Sequence, residues 1–235
     1  MTSSVIAERN ANPSVCAGLP EWLHVLTHLD PKYGGLSAAV PEINAAVAGT
    51  GYFRTCLAGF CQPGEFYSPA TSLGFRVEHL TNPAPFRVRS GSSENAYFRG
   101  LVARSAGLHI HGLWQQGTAL AACLARKAGK PYVISAHGML ERWALRNKGL
   151  KKAVYLALVE RANLSGAACL HALTEQEARD YRRLGLRNRI VIIPNGVKLP
   201  ESASAHSFLE AFHTLWASAS FYSSAGFTSR KASTS

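Results

Sequence analysis

The most informative segment for the fold is Tyr132-Val133-Ile134-Ser135-Ala136-His137-Gly138-Met139-Leu140. In it a short apolar run leads into a His-Gly pair. The apolar run follows Pro131 and predicts a buried strand. Ligands of a parallel α/β sheet bind at the C-terminal ends of its strands, so His137 is expected to meet a substrate there. A simpler interpretation is that His137 only packs against or caps the end of the strand.

Similar apolar runs alternate with helical patterns along most of the chain. Besides the run after Pro131, strands are predicted at 22–27, 53–60, 74–80, 108–114, 167–173 and 189–193. Helices are predicted at 38–47, 117–128, 141–163 and 174–184. Residues 62–93 are rich in Pro, Ser and Gly and are expected to be mostly loop. This alternation implies an α/β fold, a Rossmann-like doubly wound parallel sheet covered on both faces.

Three predicted strand ends are expected to lie along one rim of this sheet, at Gly34-Gly35, His111-Gly112 and His137-Gly138. The small residues of Gly34-Gly35 would let a phosphate approach the backbone and the N-terminus of the next helix, although such a pair is often only a turn. Pro41 is expected near the first turn of that helix, where proline is tolerated. His109, unlike His111, is interpreted as a core residue.

The charge balance favours anionic partners. The chain of 235 residues has 25 basic and 14 acidic residues, a net charge of +11. Phosphates, nucleotides, acidic membrane surfaces and nucleic acid all fit this charge. No nucleic-acid motif with interleaved aromatics is present, so nucleic acid is not expected as a partner. The basic residues between Arg142 and Lys152 form either a solvated helix face or a surface for an anionic membrane.

The cysteines indicate a reducing compartment. They are five in number and scattered, which argues against a disulfide framework, and no pair has the spacing of a zinc site. No metal ligands are therefore assigned. The first twenty residues show no signal-peptide pattern, and no run reaches about 18 apolar residues. A cytoplasmic protein, with possible peripheral contact to the inner face of a membrane, is expected.

Five segments, in this order, resemble the N-terminal domain of GT-B glycosyltransferases of family 4, the glycosyl transferases group 1. None is specific alone, and together they span residues 22–200. The segments are Pro31-Lys32-Tyr33-Gly34-Gly35, His109-Ile110-His111-Gly112-Leu113-Trp114, Ser135-Ala136-His137-Gly138-Met139-Leu140, Thr174-Glu175-Gln176-Glu177 and Ile193-Pro194-Asn195-Gly196-Val197.

The resemblance implies transfer of a sugar from a nucleotide-sugar donor to a glycan or lipid-linked acceptor, in polysaccharide or lipopolysaccharide assembly. It implies retention of the anomeric configuration, no cofactor beyond the donor as co-substrate, and no obligatory metal. In this family the N-terminal domain mainly holds the acceptor, and a second Rossmann-like domain binds the nucleotide sugar. The fold is then the N-terminal half of a GT-B fold.

The same resemblance suggests roles for the residues of the rim. Gly34 and Gly35 would lie near the donor phosphates and the acceptor, and His111 would line the acceptor cleft. His137 would contact the transferred sugar, orienting it and stabilising developing charge rather than acting as a general base. Gly138, beside it, is counted among the substrate-binding residues.

Thr174, Glu175 and Asn195 are candidates with equally good local explanations. By the resemblance, Thr174 and Glu175 would face the cleft at a helix start, and Asn195 would lead to the interdomain linker. Thr174-Glu175-Gln176-Glu177 is also a capping box, which predicts a helix ending at Gly185. Asn195-Gly196 is also an ordinary turn.

The predicted domain covers residues 21–200, between a disordered tail at 1–20 and a low-complexity tail at 201–235. The second domain of the family is expected after Pro200, but the tail shows no alternation of strands and helices. The codons for Phe221 to Thr228 can also be translated in the frame that begins one nucleotide upstream. In that frame the genetic code permits Leu-Phe-Leu-Gly-Arg-Leu-His, which resembles the start of the family's second domain. A frameshift near Trp216 to Ser218 is one explanation of the tail, and a natural disordered tail is the other.

Three functional hypotheses follow. The first is the acceptor-binding half of a retaining glycosyltransferase, inactive alone because the donor domain is missing. The second is a non-catalytic module that pairs with a separately encoded donor domain. The third is another Rossmann-like nucleotide enzyme, which is disfavoured because no Gly-x-Gly-x-x-Gly follows the first strand.

Overall fold

The structure, a computed structural model, describes residues 18–61, 75–81, 93–147 and 149–196. The tails predicted at 1–20 and 201–235 lie almost wholly outside these residues. By its internal contacts the chain divides into two units, 1–195 and 196–235. The first unit contains the elements described below.

Seven strands form one sheet in which every neighbouring pair is parallel. They are β1 (Glu21–Leu26), β2 (Arg54–Cys61), β3 (Arg76–Thr81), β4 (Gly107–His111), β5 (Tyr132–Ser135), β6 (Cys169–Ala172) and β7 (Ile190–Ile192). Their order in the sheet is β3-β2-β1-β4-β5-β6-β7. The chain winds outward from β1 to β3, then returns to β4, so the topological switch point lies between β1 and β4.

The helices are α1 (Gly35–Gly49), α2 (Ser93–Arg104), α3 (Gln116–Lys127), α4 (Arg142–Arg146), α5 (Gly149–Tyr155), α6 (Arg161–Ser165) and α7 (Glu175–Arg183), with a 3₁₀ turn at Pro31–Tyr33 and a π-helical segment at Leu156–Glu160. Within the part of the chain that the structure describes, no helix is long and apolar enough to cross a membrane. The predicted doubly wound α/β sheet is confirmed.

The start of α1 differs from the prediction. The helix begins at Gly35, so Pro41 is its seventh residue and lies inside it rather than near the first turn. Proline has no N–H, and α1 therefore lacks the backbone hydrogen bond that residue 41 would donate to Ser37. Pro41 is buried, and this apolar contact offsets part of the cost.

The predicted basic helix from Glu141 to about residue 163 is wrong as a continuous element. Asn147 has an extended backbone with ψ 117° and ends α4 after five residues. The helical path resumes at Gly149 and changes to π-helical hydrogen bonding between α5 and α6. Helix α2 was not predicted, although Phe98, Leu101 and Val102 bury one face of it at helical spacing.

The two faces of the central strands differ in chemistry. On β1 and β4, Leu23, Val25, Leu108 and Ile110 belong to the larger apolar core. Because side chains alternate along a strand, His24, His109 and His111 lie on the opposite face. That face also carries a smaller apolar cluster, in which Leu26 and Leu57 pack with Val40 of α1. The sheet thus places histidines beside its switch point.

Candidate functional site

Five of the nine histidines form one polar group near the C-terminal ends of four adjacent strands. We name this group the histidine array: His24 on β1, His109 and His111 on β4, His137 after β5, and His171 on β6. His24 and His109 are cross-strand neighbours, and so are His111 and Ser135. His109, interpreted as a core residue, lies on the same strand face as His111, and the centroids of the two rings are 4.0 Å apart.

One chain of contacts runs through the array from β1 to the loop after β5. His24 Nδ1 lies 3.1 Å from His111 Nε2, and His111 Nδ1 lies 3.1 Å from His137 Nε2. Burial lowers the pKa of His24 to about 4. Burial, with a smaller contribution from His171, lowers the pKa of His137 to about 4 as well. These rings are therefore neutral at pH 7.

The protonation pattern of this first chain follows from its ends. A neutral imidazole carries one N–H, so the hydrogen bonds must all run in the same direction. Among the residues that the structure describes, the buried Nε2 of His24 has no hydrogen-bond partner. If the hydrogen bonds donate from His24 through His111 to His137, His24 Nε2 carries a lone pair. In the reverse direction His24 Nε2 carries a buried, unpaired N–H, which costs more free energy. His137 then accepts at Nε2 and presents Nδ1–H for a further hydrogen bond.

A second chain joins β4, β5 and β6. His109 Nε2 lies 2.7 Å from Ser135 Oγ, and Ser135 Oγ lies 2.6 Å from His171 Nδ1. His171 Nε2 donates to the carbonyl oxygen of Ile193 at 2.8 Å. In the His171 tautomer that carries its N–H on Nε2, Nδ1 accepts from the Ser135 hydroxyl, and Ser135 in turn accepts from His109 Nε2–H. This assignment leaves Nδ1 of His109 as a lone pair.

The backbone around His137 is held in an unusual conformation. His137 has φ 51° and Gly138 has φ 74°, both in the left-handed region. Glu177 of α7 accepts from Gly138 N–H at 2.8 Å and from Leu173 N–H at 2.7 Å, so one carboxylate ties this loop to the end of β6. Trp114, after β4, also has positive φ at 68°. Non-glycine residues in this region cluster at functional sites, where the surrounding structure supports the strain.

The glycine pair at the start of α1 lies beside these loops. Leu36 of the first helical turn has its Cδ2 3.4 Å from where a Cβ of Gly112 would lie, and Met139 Cε is 3.2 Å from the same point. Gly34 has φ 119°, and no side chain caps the helix that it precedes. The three strand ends predicted to share a rim are therefore adjacent, and the N-terminus of α1 is open for an acceptor of its N–H groups.

The remaining predicted site residues lie farther along this edge. Thr174 is the N-cap of α7, and its Oγ1 accepts from Glu177 N–H at 3.1 Å, which confirms the predicted helix start. Thr174 and Glu175 are exposed, and so is Asn195 after β7. The contribution of these three residues to substrate binding stays a prediction, as does that of Gly34, Gly35, His111, His137 and Gly138.

Several residues of the site were not singled out from the sequence. Ser135, His24 and His171 complete the two chains, and Glu177 positions the loop of His137. Glu160, buried in the π-helical segment, accepts from Trp114 N–H at 2.9 Å. The alternation of side chains could have grouped His109 with His111, but their partners on β1, β5 and β6 depend on the order of the strands.

A shallow, open groove along α7 is a weaker candidate. Gln176, Arg179, Arg182 and Arg183 line it. Arg182 already donates to the carbonyl oxygens of Leu186 and Asn188, and Arg183 pairs with Asp180. These arginines serve the local structure of α7, whereas the buried, strained and polar groups of the array have the features of a functional site.

The comparisons with known proteins agree with this architecture. Residues 34–196 match the family model described as glycosyl transferase 4-like domain. No curated protein sequence matches the chain. HepE of Anabaena, solved with UDP and glucose, matches with a TM-score of 0.56 at 18% identity over 76% of this chain.

The chain spans 45% of HepE, less than half its length, and 44% in a second structure with UDP-glucose. A sucrose-phosphate synthase from Thermosynechococcus elongatus matches with a TM-score of 0.47 at 16% identity, over 83% of this chain and 99% of that one. The family match and the match to HepE over 45% of its length confirm the predicted half of a GT-B fold. The chain belongs to the glycosyl transferase 4-like domain family.

Proposed function

We propose that this chain is the acceptor-side half of a retaining glycosyltransferase, which transfers a sugar from a nucleotide-sugar donor to a glycan or lipid-linked acceptor. One observation carries the proposal. At the switch point of this glycosyl transferase 4-like sheet, the start of α1 meets the loops after β4 and β5. Ligands of such sheets bind there. HepE was solved with UDP-glucose, which makes a UDP-sugar the first donor to try.

His137 is proposed to hold the transferred sugar. Its ring is neutral at pH 7, so it orients a sugar hydroxyl by donating from Nδ1 and does not serve as a strong base. The strained loop and the carboxylate of Glu177 fix the direction of this donor before substrate arrives. Gly34 and Gly35, whose Cβ positions meet no other atom, leave space for a phosphate or a saccharide at the start of α1.

The acceptor assignment is testable with the chain alone. Saturation-transfer NMR would be recorded with a panel of mono- and disaccharide glycosides and, separately, with UDP and UDP-glucose. We expect signals from at least one glycoside, and none of comparable strength from UDP. Strong binding of UDP without any glycoside would assign the chain to the donor side and overturn the proposal.

Catalysis needs both halves of the fold, because proximity and charge stabilisation arise in the cleft between them. We expect no sugar transfer from UDP-glucose by the chain alone. Fusion to the part of HepE that this chain does not match should restore transfer to the acceptor found by NMR. In that fusion His137→Ala should lower kcat by about 100-fold, the usual effect of losing one transition-state donor. His79→Gln, a substitution on β3, is the control and should leave kcat unchanged.

Two outcomes would count against this assignment of roles. Transfer by the unfused chain would show that the donor site lies on it. An active fusion in which His137→Ala matches the wild type would remove His137 from the reaction. Restoration by a separately added donor half, rather than by a fused one, would favour the alternative of a partner module that complements a second chain.

A membrane-facing role is a second candidate, because an exposed apolar stripe lies among basic residues. Leu150 and Leu158 are 82% and 77% exposed, and Val154 lies between them at helical spacing. Trp143 of α4 is also exposed, and Arg142, Arg146 and Lys151 flank these side chains. Apolar residues with basic neighbours are typical of helices that lie in an anionic membrane surface.

Vesicle co-sedimentation tests this second candidate. The chain should bind vesicles containing 30% phosphatidylserine at about 0.05 M salt and release at about 0.5 M salt, because surface charges are screened. Leu150→Glu with Leu158→Glu should abolish binding, whereas Ala153→Glu with Ala157→Glu tests whether added charge alone suffices. Equal loss in both variants, or binding to neutral vesicles alone, would refute a specific apolar contact.

A further inference from the structure

Three members of the histidine array form a tight group at the switch point of the sheet. His24, His109 and His111 each offer one ring nitrogen, and these three nitrogens lie within 4.8 Å of one another. His24 and His111 are almost completely buried. The three residues come from the two strands between which the sheet order reverses. The proposed glycosyl transfer uses none of their remaining lone pairs.

We propose that His24, His109 and His111 form a binding site for one divalent transition-metal cation of the zinc class. Neutral imidazole nitrogens are ligands that Zn²⁺ and its neighbours prefer. Three histidines with an open fourth position are a ligand set that zinc accepts. The inference does not depend on the proposed function.

The spacing of the nitrogens supports a shared cation. Zinc binds imidazole nitrogen at about 2.0–2.1 Å, so two ligands of a tetrahedral site lie about 3.3 Å apart. His24 Nδ1 and His111 Nε2 are 3.1 Å apart, close to that value. Binding would replace this hydrogen bond by metal coordination, and the third nitrogen, at up to 4.8 Å, would move inward by up to about 1.5 Å.

Unused nitrogen atoms give a second, independent reason. His24 Nε2 is buried and has no hydrogen-bond partner among the described residues, and a buried polar atom without a partner needs an explanation. His109 uses Nε2 for Ser135, which leaves its Nδ1 for a ligand. With His24 coordinated through Nδ1, its ring proton would move to Nε2, so the unused nitrogen that a cation would satisfy is His109 Nδ1.

The surroundings prepare the three rings as ligands. Ser135 accepts from His109 and is itself bonded to His171, an arrangement that fixes the ring of a metal-binding histidine. A bound cation would also cross-link β1 and β4 through His24 and His111, which are 87 residues apart in the chain.

The test uses the full chain of 235 residues after treatment with a chelator and dialysis. Titration calorimetry with ZnCl₂ should give one ion per chain, and the melting temperature should rise with zinc. Zinc-edge X-ray absorption of the wild-type complex counts the ligands directly, and three imidazoles are expected. Co²⁺ provides a second probe, for which visible bands without a thiolate charge-transfer band are expected, since no cysteine is assigned to the site.

The variants separate ligands from neighbours. Ser135→Ala removes a hydrogen-bond partner of a ligand and should weaken zinc binding by about 10- to 100-fold. His24→Asn and His109→Gln each remove a ligand and should weaken binding by more than that. His79→Gln, on β3, should bind like the wild type. Circular dichroism establishes that each variant is folded.

Three results would overturn the proposal. The first is absence of binding to the wild type at 0.1 mM zinc. The second is binding that folded His24→Asn and His109→Gln retain, because the ion would then be held by other groups. The third is an absorption spectrum with fewer than three imidazoles, which needs no variant and decides the matter even if the variants do not fold.

Discussion

Glu177 is the residue on which the loop of His137 depends most directly. Its carboxylate accepts from two backbone N–H groups, of Gly138 and Leu173, and is buried between them. The capping-box pattern predicted a local role for Glu177 in α7. In the fold its side chain bonds Leu173 locally and also reaches across to Gly138 in the loop after β5, so a residue of a helix start controls the geometry of the candidate site.

Replacement of Glu177 by alanine should cost about 2–3 kcal/mol of unfolding free energy, because two partly buried N–H groups lose their acceptor. Glu177→Gln keeps one carbonyl oxygen and should cost less. Urea denaturation measures both. Glu175→Ala, in the same helical turn but exposed, is the matched control and should change stability by less than about 1 kcal/mol. Equal stability of Glu177→Ala and the control would show that the bridge is not stabilising.

Glu160 makes stability depend on pH. Burial raises its pKa above 4.5, against the opposing effects of the Trp114 N–H and the Asn163 amide. Tyr155, the other titratable group coupled to it, has its pKa raised to about 12, chiefly by burial, and stays neutral. The folded protein therefore holds this proton more tightly than the unfolded chain. The stability that this contributes is fully present below pH 4.5 and is lost as the pH rises through the raised pKa.

Glu160→Gln should remove this dependence while keeping an oxygen for Trp114 N–H. The difference in unfolding free energy, variant minus wild type, should grow in favour of the variant between pH 4 and pH 8. Taking the difference cancels the contribution of the histidines, which titrate in both proteins. Urea denaturation at five pH values provides the measurement. A difference that is constant with pH would mean that Glu160 titrates as in the unfolded chain.

Among the elements, α3 shows how closely helix and sheet approach. A Cβ on Gly117 would lie 2.3 Å from the ring of Phe60 on β2, and Phe60 is buried in an edge contact with Phe98 of α2. Glycine at this helix start therefore allows close packing of α3 on the sheet. It also helps to fix the loop before α3, which carries Gly112 and Trp114.

Gly117→Ala should destabilise the protein by about 1–3 kcal/mol, because the added methyl group overlaps the Phe60 ring. Gly100→Ala provides the matched control inside α2, since a Cβ there meets no atom within 4 Å. That substitution should stabilise by about 0.5–1 kcal/mol, the intrinsic preference of alanine over glycine in a helix. Thermal unfolding distinguishes the two. Stabilisation by both substitutions would contradict the close contact of α3 with β2.

At the scale of the whole molecule, the sheet formed by the described strands lies within the unit 1–195. All seven strands and the two hydrogen-bonded chains of the histidine array belong to this unit. A chain that ends at residue 196 should therefore retain the fold, and its melting temperature should stay within about 2 °C of the full chain.

A shorter chain that ends at residue 188 is the control for this truncation. It lacks β7, the partner of β6, and the Ile193 carbonyl that accepts from His171. Its melting temperature should fall by more than about 4 °C. Differential scanning fluorimetry compares the three lengths. A large loss in the chain that ends at residue 196 would show that residues 197–235 take part in the folded unit.

Strands and helix limits were predictable where the signal is local. The strand expected at 22–27 is Glu21–Leu26, and the helix expected at 117–128 is Gln116–Lys127. Pro41 and the break at Asn147 were missed, because a short extended linker or an internal proline leaves the apolar spacing of a helix nearly unchanged. For the same reason the basic region reads as one helix in the sequence.

The alternation of strands and helices, the cap at Thr174 and the helix end at Gly185 were predictable from the sequence. These features depend on residues within a few positions of one another, so a linear pattern contains them. The contact of His24 with His111, and the link that Ser135 makes between His109 and His171, come from the tertiary fold and could not be predicted from the sequence. Such contacts require the strand order and register, which arise when the helices pack on both faces of the sheet.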